Sequence, residues 1–175
     1  LHRAELELQD DELRETELQL LDASQRYREL YDAAPVAYVT LDRRGKILES
    51  NLAASELLGI ERTELLGTPL SRFMLRSEAD RFHLHRWEVL ARGDRRSTHL
   101  VLRRADGRQV SVRLDSMAVT TSVGTECRTA LIDVTEEERL EHGLAERERK
   151  LRALLEAVAD GVISFDARGQ VEWAS

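Results

Sequence analysis

One short pattern occurs twice in this chain. Residues 26–51 and 150–175 are similar in their apolar positions and in their turns. Gly45 in the first copy corresponds to Gly169 in the second, 124 residues later. A period of this length is too long for a solenoid repeat of roughly 20–50 residues, and it fits a whole domain with its linker. We therefore expect one complete domain, followed over 159–175 by the truncated start of a second.

The segment before this domain has the pattern of a helix. Residues 1–34 contain neither glycine nor proline. Apolar or aromatic residues recur every seven positions, at Leu6, Leu13, Leu20 and Tyr27. This spacing is typical of a coiled-coil helix, and a single helix that docks on the domain is the alternative. Pro35 disfavours helix in the residue before it, so the helix is expected to end there.

The domain itself, over 35–134, is predicted to be an α+β fold. Its apolar residues alternate as in strands, and turn signals stand at Asp42-Arg43-Arg44-Gly45 and at Asp106-Gly107. The pattern predicts strands over 36–41, 46–50, 97–104, 108–118 and 126–134, with helices over 52–58 and 61–66 and a third from a Ser77 capping box to Ala91. These elements make a five-stranded antiparallel sheet with short helices on one face. Coiled-coil-type helices flank it on both sides.

A linker helix is expected after the last strand, over 135–158. Thr135 and Glu138 have the spacing of a capping box, which starts a helix. Gly143 lies inside this helix and costs it about 1 kcal/mol relative to alanine, so it is a local weak point.

Composition argues against several classes of protein. No apolar run approaches the ~20 residues of a membrane-spanning helix, so no direct membrane contact is expected. The net charge is −7, and without a basic stripe we expect no nucleic-acid partner. The one cysteine, Cys127, has no internal disulfide partner, which agrees with a cytoplasmic location.

Five segments in this order resemble a PAS domain, the sensory module of bacterial sensor proteins. They are Leu30-Tyr31-Asp32-Ala33-Ala34-Pro35-Val36, Gly45-Lys46-Ile47-Leu48-Glu49-Ser50-Asn51, Leu57-Leu58-Gly59, Arg104-Ala105-Asp106-Gly107 and Asp133-Val134-Thr135. The resemblance covers roughly residues 24–135, and 159–175 repeats its opening. It implies signal transduction.

The resemblance also implies where a signal leaves the domain. Asp133 and Thr135 match the family's Asp-x-Thr, which joins the last strand to the output helix. They either hold the root of that helix in one of two arrangements or only cap it, and Gly143 further along is a third candidate signalling residue. Asn51 matches a common asparagine of the family, and we expect it to be a structural helix cap.

PAS interiors hold haem, flavin, a small metabolite or only side chains. The candidate pocket lining is Tyr38, Phe73, Met74, Phe82, Trp87, Leu100, Leu102, Val112 and Leu114. These residues either fill a core or surround a small organic ligand. Haem is not expected, because the family's ligand position falls on Phe82, and His83 and His85 are expected to point elsewhere into solvent. Flavin is not expected, because the reactive-cysteine motif is absent, and no metal is expected.

The leading hypothesis is a regulatory module without catalytic residues of its own. It would form a homodimer through both flanking helices and pass a signal to an output domain in the same protein, a histidine kinase or a diguanylate cyclase. A passive spacer and a small-molecule sensor are the alternatives. The sequence contains no phosphate loop, no nucleophile motif and no paired metal ligands, so we do not expect an enzyme.

Overall fold

The computed structural model describes residues 2–159, 164–165 and 171–172, with side chains for residue 9 and over 12–156. It consists of two compact units, Leu1–Val134 and Thr135–Ser175. The helices are α1 (His2–Ala33), α2 (Leu52–Leu58), α3 (Arg62–Leu65), α4 (Arg76–Arg92) and α5 (Thr135–Ala159). The strands are β1 (Ala37–Leu41), β2 (Ile47–Ser50), β3 (Arg96–Arg103), β4 (Gln109–Thr120), β5 (Thr125–Asp133), β6 (Ser164–Phe165) and β7 (Val171–Glu172).

Strands β1 to β5 form one antiparallel sheet in the order β2-β1-β5-β4-β3. The predicted α+β class and five-stranded sheet are thereby confirmed, as is the N-terminal helix. The first strand pairs with the last, so that Ala37 faces Leu131. Because the two strands are antiparallel, the start of β1 lies beside the end of β5. The place where α1 joins the domain is therefore next to the place where the sheet ends.

The core lies between the inner face of this sheet and the helices that cover it. Strand residues alternate between the two faces, and the inner ones are almost completely buried. The core cluster is Ala37, Val39, Leu41, Ile47, Ala54, Leu58, Leu65, Leu70, Phe73, Met74, Phe82, Val89, Leu100, Leu102, Val110, Val112, Leu114, Cys127 and Leu131.

Two local features differ from the sequence prediction. A 3-10 turn covers Leu70–Phe73, and α4 has Leu75 at its N-cap with no side-chain cap, in place of the predicted Ser77 box. The cause is Met74, which forms an isolated bridge to Leu102 of β3. The backbone is therefore extended up to Leu75, and the helix begins as soon as it is released from the sheet.

The second unit contains α5, which begins at the predicted Thr135, and the pair β6 and β7. These two strands are antiparallel, with Ser164 facing Glu172 and Phe165 facing Val171. The rest of the predicted second domain over 159–175 lies outside the described residues.

The turn between β1 and β2 depends on Gly45. Asp42 Oδ1 accepts hydrogen bonds from the amides of Arg44 and Lys46, both at 2.8 Å. This closes the turn and gives Gly45 a φ of +85°, a region that side chains disfavour. A Cβ at Gly45 would also collide with the guanidinium of Arg86, which lies 5.8 Å from the centre of the Phe82 ring. The Arg86 side chain of α4 therefore packs against the turn at Gly45, where there is no side chain in its way.

We predict that Gly45→Ala lowers the free energy of unfolding by about 1–2 kcal/mol, mainly from backbone strain, with a smaller contribution from the shift of the flexible Arg86 side chain. Gly107→Ala is the matched control, because Gly107 has a φ of +84° and open space where a Cβ would stand. We expect the control to lose only about 1 kcal/mol. Urea unfolding of both variants measures the difference. Equal losses would show that the contact with Arg86 contributes nothing.

Candidate functional site

The predicted pocket lining is divided between the core and the surface. Seven of the nine residues lie in the one buried cluster; they are Phe73, Met74, Phe82, Leu100, Leu102, Val112 and Leu114. Tyr38 and Trp87 do not line the interior, since 39% and 65% of their surfaces are exposed. Tyr38 alternates with the inward Ala37 and Val39 on β1, and Trp87 is on the side of α4 that faces away from the sheet. The proposed lining is therefore wrong at these two positions.

His85 is buried, contrary to the sequence prediction. His83 is exposed as predicted, but His85 is only 7% exposed. Phe82, His85 and Val89 are the buried residues of α4, and their spacing of three and four places them on one face of the helix. That face packs against the sheet, so the His85 ring points into the core.

His85 ends a line of buried polar side chains that crosses from α4 to β4 and β5. His85 Nε2 lies 3.0 Å from Ser116 Oγ, and Ser116 Oγ lies 2.9 Å from Thr129 Oγ1. Thr129 Oγ1 lies 3.6 Å from the sulfur of Cys127. We call these four residues the buried polar network. Each member has a partner, as buried polar groups generally do.

The alternation of inward and outward residues in β4 and β5 indicates where members of this network lie. In β4, Ser116 follows Val112 and Leu114 at the same two-residue step, and all three are buried. In β5, Cys127 and Thr129 precede the buried Leu131 in the same way. A hydroxyl at an inward position needs a partner. The sequence pattern therefore places Ser116 and Thr129 inside, but it does not identify His85 as their neighbour.

Burial favours the neutral forms of the two ionisable members of the network, His85 and Cys127. Burial lowers the pKa of the His85 imidazole, and Arg96 lowers it further, while Glu88 and Asp115 raise it. Burial raises the pKa of the Cys127 thiol, against the hydrogen bonds from Thr129 and Ser116 and the charge of Arg86. Both effects follow from the cost of a charge in a poorly solvated site.

A groove of about 530 Å³ lies on the solvent side of His85. It separates α4 from the start of β3 and contains charged side chains of both signs. Within it, Arg96 Nη1 is 2.8 Å from a Glu88 carboxylate oxygen. Its lining is Arg81, Leu84, His85, Glu88, Asp94, Arg95, Arg96, Ser97 and Thr98. His85 is therefore the one member of the buried polar network in this lining.

Asn51 forms a second polar site, at the start of the domain. It is fully buried. Its Oδ1 accepts hydrogen bonds from the amides of Tyr38, at 2.9 Å, and Ala54, at 3.1 Å. Its Nδ2 donates to the carbonyls of Tyr31, at 3.0 Å, and Val36, at 2.9 Å. We call Asn51 with these four partners the Asn51 junction.

The Asn51 junction does more than cap α2. The predicted cap is present, because the Asn51 side chain accepts from Ala54 in the first turn of that helix. The other three bonds join the last turn of α1, the connection to β1 and β1 itself. A carboxylate would also cap a helix, but it has no N–H groups to donate to Tyr31 and Val36. The amide is thus suited to hold α1 on the domain.

Side chains reinforce the same attachment of α1. The rings of Tyr27, Tyr31 and Tyr38 stack, with centroids 5.8 and 6.1 Å apart. Tyr31 Oη donates to the Tyr38 carbonyl at 3.3 Å, and burial, with Glu49, raises the pKa of Tyr31 to about 12. Asp32 accepts from Arg62 of α3, at 3.1 and 3.2 Å. The end of α1 is therefore a fixed part of the domain.

Two of the predicted signalling residues, Asp133 and Thr135, lie where the chain leaves β5 and enters α5. Val134, between Asp133 and Thr135, is buried, and its amide donates to the Ser111 carbonyl at 2.9 Å. Asp133 faces Val112 in the ladder of β4 and β5. The strand is thus held to its last residue before α5 starts. Gly143 is in α5, with open space where a side chain would stand. The roles given to these residues stay predictions.

Two kinds of site are absent from the described part of the chain. It contains no group of three or more histidine, cysteine or acidic side chains placed to hold a metal ion. Among its helices, none is both long and apolar enough to cross a membrane.

The chain is similar to a described protein family and to a curated protein. A family model described as "PAS fold" matches residues 25–127. Sporulation kinase E of Bacillus subtilis (strain 168) is 26% identical over 155 residues, which are 89% of this chain and 20% of that protein. The chain thus spans about a fifth of the length of this curated relative.

Two solved structures share the fold. One is the PAS domain of an HTR-like protein from Haloarcula marismortui, with a TM-score of 0.62 and 24% identity. The match covers 69% of this chain and 98% of that one. The other is a PAS domain from a two-component sensor histidine kinase, with a TM-score of 0.55 and 19% identity, covering 67% of this chain and 98% of that one. At these identities the likeness concerns the fold.

We predict that Asn51→Asp and Asn51→Ala both destabilise the domain, by about 2–4 kcal/mol. Aspartate keeps the cap but places a charge against the carbonyls of Tyr31 and Val36. Urea unfolding measures the loss, and amide hydrogen exchange in the last turn of α1 should speed up in both variants. If Asn51 were only a cap, Asn51→Asp would keep the stability and the exchange rates of the unmodified protein.

Proposed function

The chain belongs to the PAS fold family, and we propose that it is a sensory module that dimerises and relays a signal through its flanking helices. Its relation to sensor histidine kinases supports this class of function. The family is generally sensory rather than catalytic. We place the catalytic activity of the parent protein, a histidine kinase or a diguanylate cyclase, in an output domain outside these residues.

The observation that carries the proposal is the exposure of apolar side chains on both flanking helices. On α1, Leu13, Leu20 and Tyr27 recur every seven residues and are 62%, 65% and 59% exposed. Leu6, the fourth member of this seam, lies outside the described side chains. Burial of one leucine is worth about 1.5–3 kcal/mol, so a seam of this kind favours a second helix beside it.

The linker helix, α5, also exposes apolar side chains. Its exposed leucines are each more than half accessible; they are Leu140, Leu144, Leu151, Leu154 and Leu155. A second copy of the chain supplies an identical seam, which makes a symmetric homodimer the simplest partner for both helices.

The relay is supported by the continuity of the polypeptide between the two seams. The Asn51 junction fastens the end of α1 to β1. Strand β1 pairs with β5 along its length, and β5 continues through the buried Val134 into α5. A change in how the helices of the core pack on β4 and β5 would therefore act on the strand that carries the root of α5.

We predict that the chain of 20.0 kDa is a dimer in light scattering. We expect Leu20→Glu to weaken the dimer about tenfold or more, because a charge replaces a leucine that the partner helix would bury. Gln19→Glu, its exposed neighbour off the seam, is the matched control and should leave the mass unchanged. A monomer at high concentration, or equal effects of both variants, would contradict dimerisation through α1.

We predict that Asp133→Ala in the full-length parent changes the output activity severalfold without unfolding the domain, because it alters the root of the linker helix. The activity of the output domain is compared with thermal unfolding of the same variant. Glu137→Ala, an exposed carboxylate in the first turn of α5, is the control. Unchanged output from Asp133→Ala would favour a passive spacer.

A further inference from the structure

His85 has the position that a proton-binding site inside a domain requires. One side of its ring contacts the buried polar network, through Ser116 Oγ at 3.0 Å. The residue also lines the groove between α4 and the start of β3. Of the four members of the network, it is the one that both is ionisable near neutral pH and lines that groove. A proton from solvent can therefore reach His85 without the core opening.

The charged groups around His85 come from each element that packs against it. Glu88 on α4 and Asp115 on β4 favour the protonated ring, and Arg96 on β3 disfavours it. The groove adds Arg81, Asp94 and Arg95. Much of this charge is already paired: Arg96 with Glu88 at 2.8 Å, Arg81 with Glu78 at 3.4 Å and Arg95 with Asp115 at 3.9 Å. On the inner side the ring contacts the neutral hydroxyl of Ser116. Thr129 and Cys127 continue the network beyond it, and the charge of Arg86 acts on Cys127 at the far end.

Protonation changes the hydrogen bonding of the whole network. In the neutral ring, Nε2 is either the donor or the acceptor toward Ser116 Oγ, depending on the tautomer. In the imidazolium, both ring nitrogens carry hydrogen, so Nε2 can only donate. Ser116 then accepts from His85 and directs its own proton elsewhere, and Thr129 at 2.9 Å is the neighbour that can accept it. One added proton thus sets the direction of the bonds that join α4 to β4 and β5.

We propose that His85 is a proton-binding site through which this domain reads acidification. The signal enters at the groove, reorders the buried polar network and loosens the packing of α4 on β4 and β5. This inference rests on the proposed function only in that it treats the protonation of His85 as a signal. The binding of the proton and its effect on the core are properties of the domain itself.

The sign of the effect on stability follows from the burial of the ring. Burial lowers the pKa of His85 below its ordinary value of 6.5. At pH values between the folded and the unfolded pKa, the unfolded chain holds a proton that the folded chain does not. The contribution of the neutral ring is therefore complete above about pH 6.5 and is lost as the pH falls through the folded pKa. Each unit of difference changes the folding equilibrium about tenfold.

We predict that the imidazole of His85 titrates below the ordinary histidine pKa of 6.5 in NMR spectra of the whole chain. The amide signals of Ser116 and Thr129 should shift with the same midpoint as His85. The ring signal is assigned by its loss in His85→Gln, and His83→Gln is the matched control on the exposed side of the same helix. A His85 ring that titrates at or above the ordinary histidine pKa of 6.5, or stays neutral in the folded chain down to pH 4, would overturn the proposal. So would amide signals of Ser116 and Thr129 that do not follow the ring.

Urea unfolding at pH 7 and pH 5 gives an independent reading of the same site. His85→Gln keeps an amide that can hydrogen-bond to Ser116 but does not titrate in this range. We expect its unfolding equilibrium to change at least severalfold less between the two pH values than that of the unmodified chain or of His83→Gln. Equal changes in all three would contradict the proposal. Because neither experiment depends on dimerisation or output, a failure here leaves the proposed relay standing, and a failed relay leaves the proton site standing.

Discussion

The side chain of Asn51 is the interaction on which the arrangement of this domain depends. Its four hydrogen bonds join the last turn of α1, the connection to β1, β1 itself and the first turn of α2. The Asn51 side chain itself is fully buried, so a polar group of Asn51 that loses its partner is costly to leave unpaired. Without them, α1 would keep only its side-chain contacts with the domain, which are the stacked tyrosine rings and the pair of Asp32 with Arg62. With them, its orientation is set by the core.

The core cluster is almost entirely apolar, and two buried polar sites accompany it, the buried polar network and the Asn51 junction. Leucine, valine and phenylalanine side chains supply burial, which is insensitive to pH and to small ligands. His85, Ser116, Thr129 and Cys127 supply directional bonds whose pattern depends on one ionisable ring. The two sites are at different places, and the sheet connects them: β1, held by Asn51, pairs with β5, which carries Thr129 and Cys127 and continues into α5.

Local patterns predicted most of the fold, because they act over a few residues. The spacing of Asp42 and Gly45 favours a turn, and Asn51 directly before a helical pattern favours a cap. Local patterns predict less well which face of an element a side chain occupies. Tyr38 and Trp87 are large and aromatic, which favours an inward prediction, but the phase of β1 and of α4 turns them outward. The charged neighbours of His85 favour a position in solvent, although the spacing of Phe82, His85 and Val89 turns it inward.

The sequence by itself determined the elements, their order and the apolar seams of the two flanking helices, because propensity, caps and periodicity are properties of adjacent residues. Only the tertiary structure decided which distant polar groups meet. Asn51 reaches Tyr31 and Val36, and His85 reaches Ser116, across 20, 15 and 31 positions of the chain. Such contacts depend on the strand order β2-β1-β5-β4-β3 and on the phase at which α4 lies on the sheet. The strand order has no local signature. The spacing of Phe82, His85 and Val89 agrees with the phase of α4, but that phase is fixed only when the whole core packs.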